Sequence, residues 1–210
     1  MGRFVFHDIE QNSDKWYQAR SGMPTSSKLG VVMANYGKAF GQPAKDYAAK
    51  IALEMITGKP VSGGYSNEHM ERGVEQEPIC RALYEDRTFS TVTNGGFFTD
   101  GETGCSPDGL VGDDGVIEIK SVIHSVQFKN IKRNNVDPAY RWQCIGNMKF
   151  PGREWLDFVS YCSDYPIDNQ LFIHRILSKD FSDEYKMIDT RLDEFRFLID
   201  EAIELIQGNK

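Results

Sequence analysis

The sequence predicts a mixed α/β domain with a central sheet flanked by helices. Three observations predict it. Apolar residues recur at helical spacing in the first 86 residues and again after residue 181. Residues 88–120 break into short β-rich runs between Asn-Gly, Asp-Gly-Glu and Asp-Asp-Gly turns. Two further apolar runs, WLDFVSYC and QLFIHRIL, read as strands. In chain order, Ser13 before DKWYQAR predicts a capped helix over 14–20, and Thr25 or Ser26 caps a second over 26–34. Pro43 suits the start of a third helix, which runs to Gly58. Residues 67–86 predict a fourth, with a kink or break at Pro78. TFSTVTN, GFFTD and CSPDGLVG-DDG-VIEIK predict consecutive antiparallel strands, with Val111–Gly115 closing a hairpin. Helices over 124–134 and 138–149 follow, the second opening at Pro138. The two strands come next, and a long helix over 181–207 carries Leu192, Phe195, Ile199, Ala202, Ile203 and Ile206 on one face.

The chain of 210 residues reads as a single domain, 1–210, long enough to bury a core without disulfides or metal staples. No apolar run approaches the roughly 18 residues a membrane span needs. The first residues, MGRFVFHDIEQ, carry acids where an export leader needs an apolar core, so a cytoplasmic protein is expected. Cys80, Cys105, Cys144 and Cys162 are far apart and predict free thiols. The net charge of −7 hides an asymmetry. Residues 119–153 hold seven cations (Lys120, Lys129, Lys132, Arg133, Arg141, Lys149 and Arg153) against Asp137 alone. Such a segment in an acidic protein is either a polyanion-binding surface or a solvated basic helix face.

The chemistry concentrates in Ser106-Pro107-Asp108-Gly109-Leu110 and Val116-Ile117-Glu118-Ile119-Lys120. A tight hairpin between them brings Asp108 beside Glu118, with roughly 5 Å between opposed Cβ atoms. Glu118 and Lys120, two apart, point to one face. Two carboxylates and an ammonium on one patch suit a divalent cation. Mg²⁺ takes one or two carboxylates with water and phosphate, and the Ile119 carbonyl offers a further hard oxygen. Lys120 would then sit beside the reacting water and phosphate. The alternative is a hairpin with a charged solvent face. His7, His69, His124 and His174 lack metal-ligand spacing, and no nucleophilic triad or phosphate-binding glycine loop is present.

These blocks resemble the PD-(D/E)XK nuclease superfamily, whose core is the restriction-endonuclease-like fold with a mixed sheet. They resemble most closely the phage lambda exonuclease family, or YqaJ-type viral recombinases. Trp16, Arg20, Gly22, Thr25 and Ser27 match its N-terminal block; Gly73 and Glu77 match its G-x-x-x-E helix. Ser106–Leu110, Glu118–Lys120 and Tyr140 with Gln143 match the later blocks in family order. The resemblance implies a Mg²⁺-dependent 5′→3′ exonuclease (Mn²⁺ as a substitute, two ions with substrate bound) that digests one strand of linear double-stranded DNA and leaves a 3′ overhang for recombination by annealing. It implies a homotrimeric ring, a single-strand annealing partner, and a host cytoplasm for a phage-encoded protein. Asp108, Glu118, the Ile119 carbonyl and Glu77 fall at metal positions, Lys120 at the catalytic lysine, and Gln143 at a site-lining amide. Arg20, Ser27 and Ser106 fall at the 5′-phosphate pocket, and Met70 where the family places a strand-separating wedge. A family arginine eight residues after the Glu is Val126 here, with His124 or Lys129 nearby as substitutes. Lys129, Lys132, Arg133 and Arg141 would contact DNA. Competing expectations are a RecB-like nuclease acting on single-stranded DNA, against which the scattered cysteines argue, and a non-catalytic DNA-end-binding protein, for which paired acids facing a polyanion have no use.

Overall fold

Alternation along VIEIK sends successive side chains to opposite faces of a strand, and here both faces are covered. A computed structural model describes residues 4–61 and 68–208, with the side chains of 68–71 outside the description. Gly115–Ser121 forms β6 in the middle of a five-stranded sheet ordered β2 (Val92–Thr93), β5 (Gly109–Val111), β6, β7 (Trp155–Tyr161), β8 (Leu171–Leu177). β6 and β7 run parallel and the other neighbours antiparallel. The sheet is therefore mixed, as the sequence predicts. Val116 joins a large apolar cluster with Leu29, Ala48, Ile145, Phe158 and Phe195, whereas Ile117 and Ile119 join Cys80, Tyr84 and Tyr161. One sheet face is thus covered by α3 (Gln42–Thr57), α6 (Arg141–Lys149) and α7 (Ser182–Gln207), and the other by α4 (Glu68–Thr88). Parallel pairing needs a crossover, supplied by α5 (His124–Arg133) and α6.

Local rules explain most boundaries. The Trp16 N–H donates to the Ser13 hydroxyl at 3.2 Å, so α1 (Asp14–Arg20) begins where its cap places it. Gly58, at φ +65°, ends α3 in the left-handed cap that glycine tolerates. The predicted helix over 26–34 is a single 3₁₀ turn, Ser26–Lys28, continuing as α2 (Leu29–Met33). The last carbonyls of α2 are taken by the buried Arg191, which donates to Val32 O at 3.0 Å and Ala34 O at 3.3 Å. All four cysteines are unpaired and buried. Among the described residues no helix is long and apolar enough to cross a membrane.

Four expectations are corrected. Of the kink or break expected at Pro78, the break does not form: α4 continues through the proline. The proline and Val74, whose carbonyl loses its bond, are both exposed, so water can satisfy that carbonyl. The strands after residue 90 are not one meander. β3 (Phe97–Thr99) and β4 (Gly104–Cys105) leave the central sheet: β3 pairs with β1 (Val5–His7) in the register Val5↔Thr99, and β4 pairs with β3. The Gly95-Gly96 pair makes that departure: Gly96 sits at φ +53°, and a Cβ there would lie 2.4 Å from the His7 carbonyl. α6 starts at Arg141 rather than 138, because Pro138 lies in the turn closed by Tyr140 N–H on Asp137 O. Ile206 is exposed where α7 runs past the core.

Candidate active site

The hairpin arithmetic places the acids. Gly109↔Ile117 is the last paired step of β5 and β6, so Asp108 lies opposite Glu118, one residue further on. The Asp108 N–H still donates to Ile117 O at 3.1 Å, and its carboxylate accepts the Ile119 N–H at 2.6 Å. Glu118 is fully buried, which removes the solvated-face reading. One carboxylate oxygen accepts from Lys120 Nζ and Gln143 Nε2, and the other from Asn147 Nδ2 at 2.6 Å. Lys120 Nζ also sits 5.1 Å from the centre of the Tyr140 ring. Glu77 comes from α4, which packs on the sheet's other face. Arg81 lies 3.5 Å from Glu77 and donates to the Asp108 carbonyl at 2.5 Å. Asn94, Glu77, Arg81 and Asp108 line a cavity of about 500 Å³.

The electrostatics follow. Burial, reinforced by the Asp108 charge, pushes the Glu118 carboxyl up to about 8. Burial and then Asp108 also raise Glu77. Burial alone would lower Lys120, but the Glu118 and Asp108 carboxylates outweigh it and hold the lysine above its usual range. The Asp108 charge raises both Glu118 and Glu77 beside Lys120 and Arg81, an arrangement that fits a cation. The hard oxygens of Asp108, Glu118 and the Ile119 carbonyl, with Glu77 beside them, would suit Mg²⁺. Among the described residues no group of three His, Cys, Asp or Glu side chains is placed to hold a metal ion, so an ion here would take two carboxylates, a carbonyl and water.

A second cluster lies on α1 and the 3₁₀ turn. The Arg20 guanidinium stacks 3.9 Å from the Trp16 ring centre and donates to Ser27 Oγ at 3.2 Å; Thr25 Oγ1 is 3.2 Å from Ser27 Oγ. Burial lowers the Arg20 pKa, while Tyr47, Cys105, Tyr17 and Glu118 oppose that shift. Arg20, Thr25, Ser27, Lys28 and Lys50 line a cavity of about 760 Å³. Ser106 departs from the expected direct grip. It accepts from Trp16 Nε1 at 2.7 Å and donates its single proton to Gly96 O at 2.6 Å. Its hydroxyl seats the indole on which Arg20 lies.

The basic segment is divided. Arg141 pairs with Glu184 at 2.6 Å, and Arg133 bonds Asn130 and lies 3.8 Å from Asp137. His124, largely exposed, is 3.8 Å from Asp164. Lys129 and Lys132 are exposed on α5 with no ion pair among the described residues. Val126 occupies the first turn of the same helix. The Met70 side chain lies outside the described residues.

A family model, the YqaJ-like viral recombinase domain, matches residues 15–154, more than half of the chain and every side chain of the hairpin site. The chain belongs to this family. The YqaJ-like domain matches the crystal structure of an alkaline exonuclease from Laribacter hongkongensis with a TM-score of 0.81, at 34% identity over 93% of this chain and 97% of that one. The same exonuclease in complex with dAMP gives 0.82 at the same identity and coverage. A phage-related exonuclease from Haemophilus somnus 129PT, 15% identical over 88% of this chain and 96% of that one, shares the fold at a TM-score of 0.66. No curated protein sequence matches.

Two site residues of the YqaJ-like domain escaped the sequence reading. Arg81 carried no motif. Asn147 did carry a signal: it lies four residues after Gln143 on α6, so both amides share one helix face. The loop bearing Asp108 is also held by close backbone approach. A Cβ on Gly95 would lie 1.7 Å from the Pro107 carbonyl oxygen. Gly95→Ala is expected to displace Pro107–Asp108 at a cost of about 1–3 kcal/mol. A thermal melt should show a fall of several degrees, at roughly 2–4 °C per kcal/mol.

Proposed function

We propose that this YqaJ-like domain is a Mg²⁺-dependent exonuclease that digests one strand of linear double-stranded DNA from its 5′ end, leaving a 3′ single strand for recombination by annealing. The observation that carries the reading is the buried Glu118 carboxylate, opposite Asp108 and bonded to Lys120. Family membership and the alkaline exonuclease at 34% identity support a DNA exonuclease. The direction rests on Arg20, Thr25 and Ser27 converging on one cavity, a donor set suited to a terminal phosphate. The resemblance extends the reading to a homotrimeric ring acting with a single-strand annealing protein in a host cytoplasm.

Bound at Asp108, Glu118 and the Ile119 carbonyl, with Glu77 nearby, Mg²⁺ would polarise the scissile phosphate and favour deprotonation of the attacking water. Gln143 and Asn147 hold Glu118 in one orientation. Lys120 offers a fixed positive charge to the phosphate as negative charge builds on it. Arg20 holds the terminal phosphate, which places the next phosphodiester over the carboxylates.

The test is digestion of linear duplex DNA labelled at either end. The expected result is mononucleotide release from the 5′ end with Mg²⁺, none with a chelator, and an intact circular duplex. Cleavage that spares duplex and consumes single strands supports the single-strand reading instead. DNA binding without cleavage supports the end-binding one.

Two further results are expected. A cation must displace the proton that Glu118 holds up to about 8. Apparent Mg²⁺ affinity should therefore rise with pH, by at most about tenfold per unit below that value, and level off above it. Calorimetry in buffers of different ionisation enthalpy should register the released proton; affinity flat from pH 6 to 8 contradicts the assignment. The raised carboxyl also stabilises the metal-free fold most below the ordinary carboxylate range, and that contribution is lost as pH rises toward 8. For DNA association, Lys129→Ala with Lys132→Ala should weaken binding to all sequences alike and reduce the salt slope by roughly one unit per lost phosphate contact. Arg141→Ala, whose cation is paired with Glu184, should change the slope less.

A further inference from the structure

Two buried hydrogen bonds join the Arg20 cavity to the Glu118 carboxylate. Ser26 lies between Thr25 and Ser27, both of which line that cavity, but its own side chain turns inward and is only 2% exposed. Its hydroxyl donates to Asn147 Oδ1, and Asn147 Nδ2 donates to Glu118 Oε2 at 2.6 Å. Asn147 and Glu118 have no exposed surface. The amide cannot be turned around without facing its oxygen to the carboxylate, so the chain has one polarity: hydroxyl to amide oxygen, amide nitrogen to carboxylate. The elements carrying it are in direct contact. A Cβ on Gly146 would lie 3.0 Å from Ser26 Cβ and 2.5 Å from Leu29 Cδ1, so α6 rests on the 3₁₀ turn with no side chain between them.

We propose that Asn147 is a positioning residue that couples occupancy of the terminal-phosphate cavity to the orientation of Glu118, and hence to the hold on the divalent cation. This rests on the function proposed above. A phosphate accepting from Arg20, Thr25 and Ser27 must redraw the present Arg20–Ser27 and Thr25–Ser27 contacts, and Ser26 moves with its neighbours. Displacement of its hydroxyl re-aims the Asn147 amide, and the carboxylate oxygen on that amide follows. Gln143 clamps the other oxygen and, among the described residues, makes no hydrogen bond to the cavity, so the hydrogen-bonded route runs through Asn147. Coupling of this kind is reciprocal: a phosphate-bearing end tightens cation binding by the factor by which the cation tightens binding of that end.

The test measures Ca²⁺ affinity by calorimetry, Ca²⁺ replacing Mg²⁺ to suppress turnover, in the presence of saturating 5′-phosphorylated or 5′-hydroxyl duplex. In the wild type, Ca²⁺ should bind at least about fivefold more tightly with the phosphorylated duplex, the lower end of ordinary coupling between sites. Ser26→Ala removes one hydroxyl and keeps the Asn147–Glu118 bond. It should bring the ratio close to one while leaving the Ca²⁺ affinity with 5′-hydroxyl duplex near wild type; the Asn147 oxygen left without its donor should lower the melting temperature by several degrees. Asn147→Ala should abolish the ratio and also weaken Ca²⁺ binding. A fivefold ratio that persists in Ser26→Ala overturns the proposal, as does a wild-type ratio of one. Mg²⁺-dependent digestion by the same wild-type sample separates the two readings. If it proceeds from 5′-phosphorylated ends while the ratio is one, only the coupling falls; if it is absent, the function falls as well.

Discussion

Lys120→Ala should reduce cleavage of linear duplex DNA on the order of 10²–10³-fold or more, the scale on which a preorganised charge at the reacting group acts. The same loss is expected for Asp108→Ala and Glu118→Ala, by a different route. Glu118 is fully buried, and its neighbour Asp108 raises its pKa, so the two acids repel each other unless a cation or a proton intervenes. Removing either should lower Mg²⁺ affinity, and can raise affinity for DNA by relieving repulsion of the phosphates. Lys120→Ala should leave Mg²⁺ binding largely intact and act on turnover. Calorimetry with Mg²⁺ and single-turnover digestion separate the two classes. Wild-type turnover in any of the three variants would remove that residue from the mechanism.

Arg20→Ala should slow digestion of 5′-phosphorylated duplex at least about tenfold, since a hydrogen bond to a charged group contributes about 1.5–3 kcal/mol. It should also erase any preference over 5′-hydroxyl ends. Arg20 is held by the Trp16 face and by Ser27, so it is already aimed before substrate arrives. Val126 stands where the resemblance places a second arginine, which concentrates the task on Arg20. Trp16→Leu should give a weaker version of the same defect, because it removes the platform and leaves the charge. The comparison is the initial rate on the two kinds of end; an undiminished phosphate preference in Arg20→Ala would shift the pocket toward His124 or Lys129.

The legible features were those set by short-range rules. The facing of Asp108 and Glu118 follows from counting across a tight turn, and Ser13 marks its helix by a cap bond three residues away. What stayed hidden depends on partners distant in sequence. Arg141 reads as a free cation until Glu184, 43 residues later, is folded against it. Ser106 reads as a phosphate donor until Trp16 and Gly96 claim both sides of its hydroxyl. β1 is three exposed residues without alternation, so no periodicity announces it. The departure of β3 and β4 from the central sheet depends on two glycines whose conformations only the fold reveals.

The parallel pairing of β6 with β7 bears on how the protein matures. The hairpin of β5 and β6 closes locally, but Gly115 pairs with Trp155, and Glu118 meets its amide partners Gln143 and Asn147 only after the α5–α6 crossover has folded back. Contacts between residues so far apart form slowly, because chain entropy must be spent before they return anything. A chain emerging from the ribosome would therefore carry its acids together early, with Glu118 unclamped and the turn bearing Ser26 not yet docked on α6. Catalytic competence would arrive with the last stages of folding, so a half-made nuclease stays harmless to the nucleic acid around it.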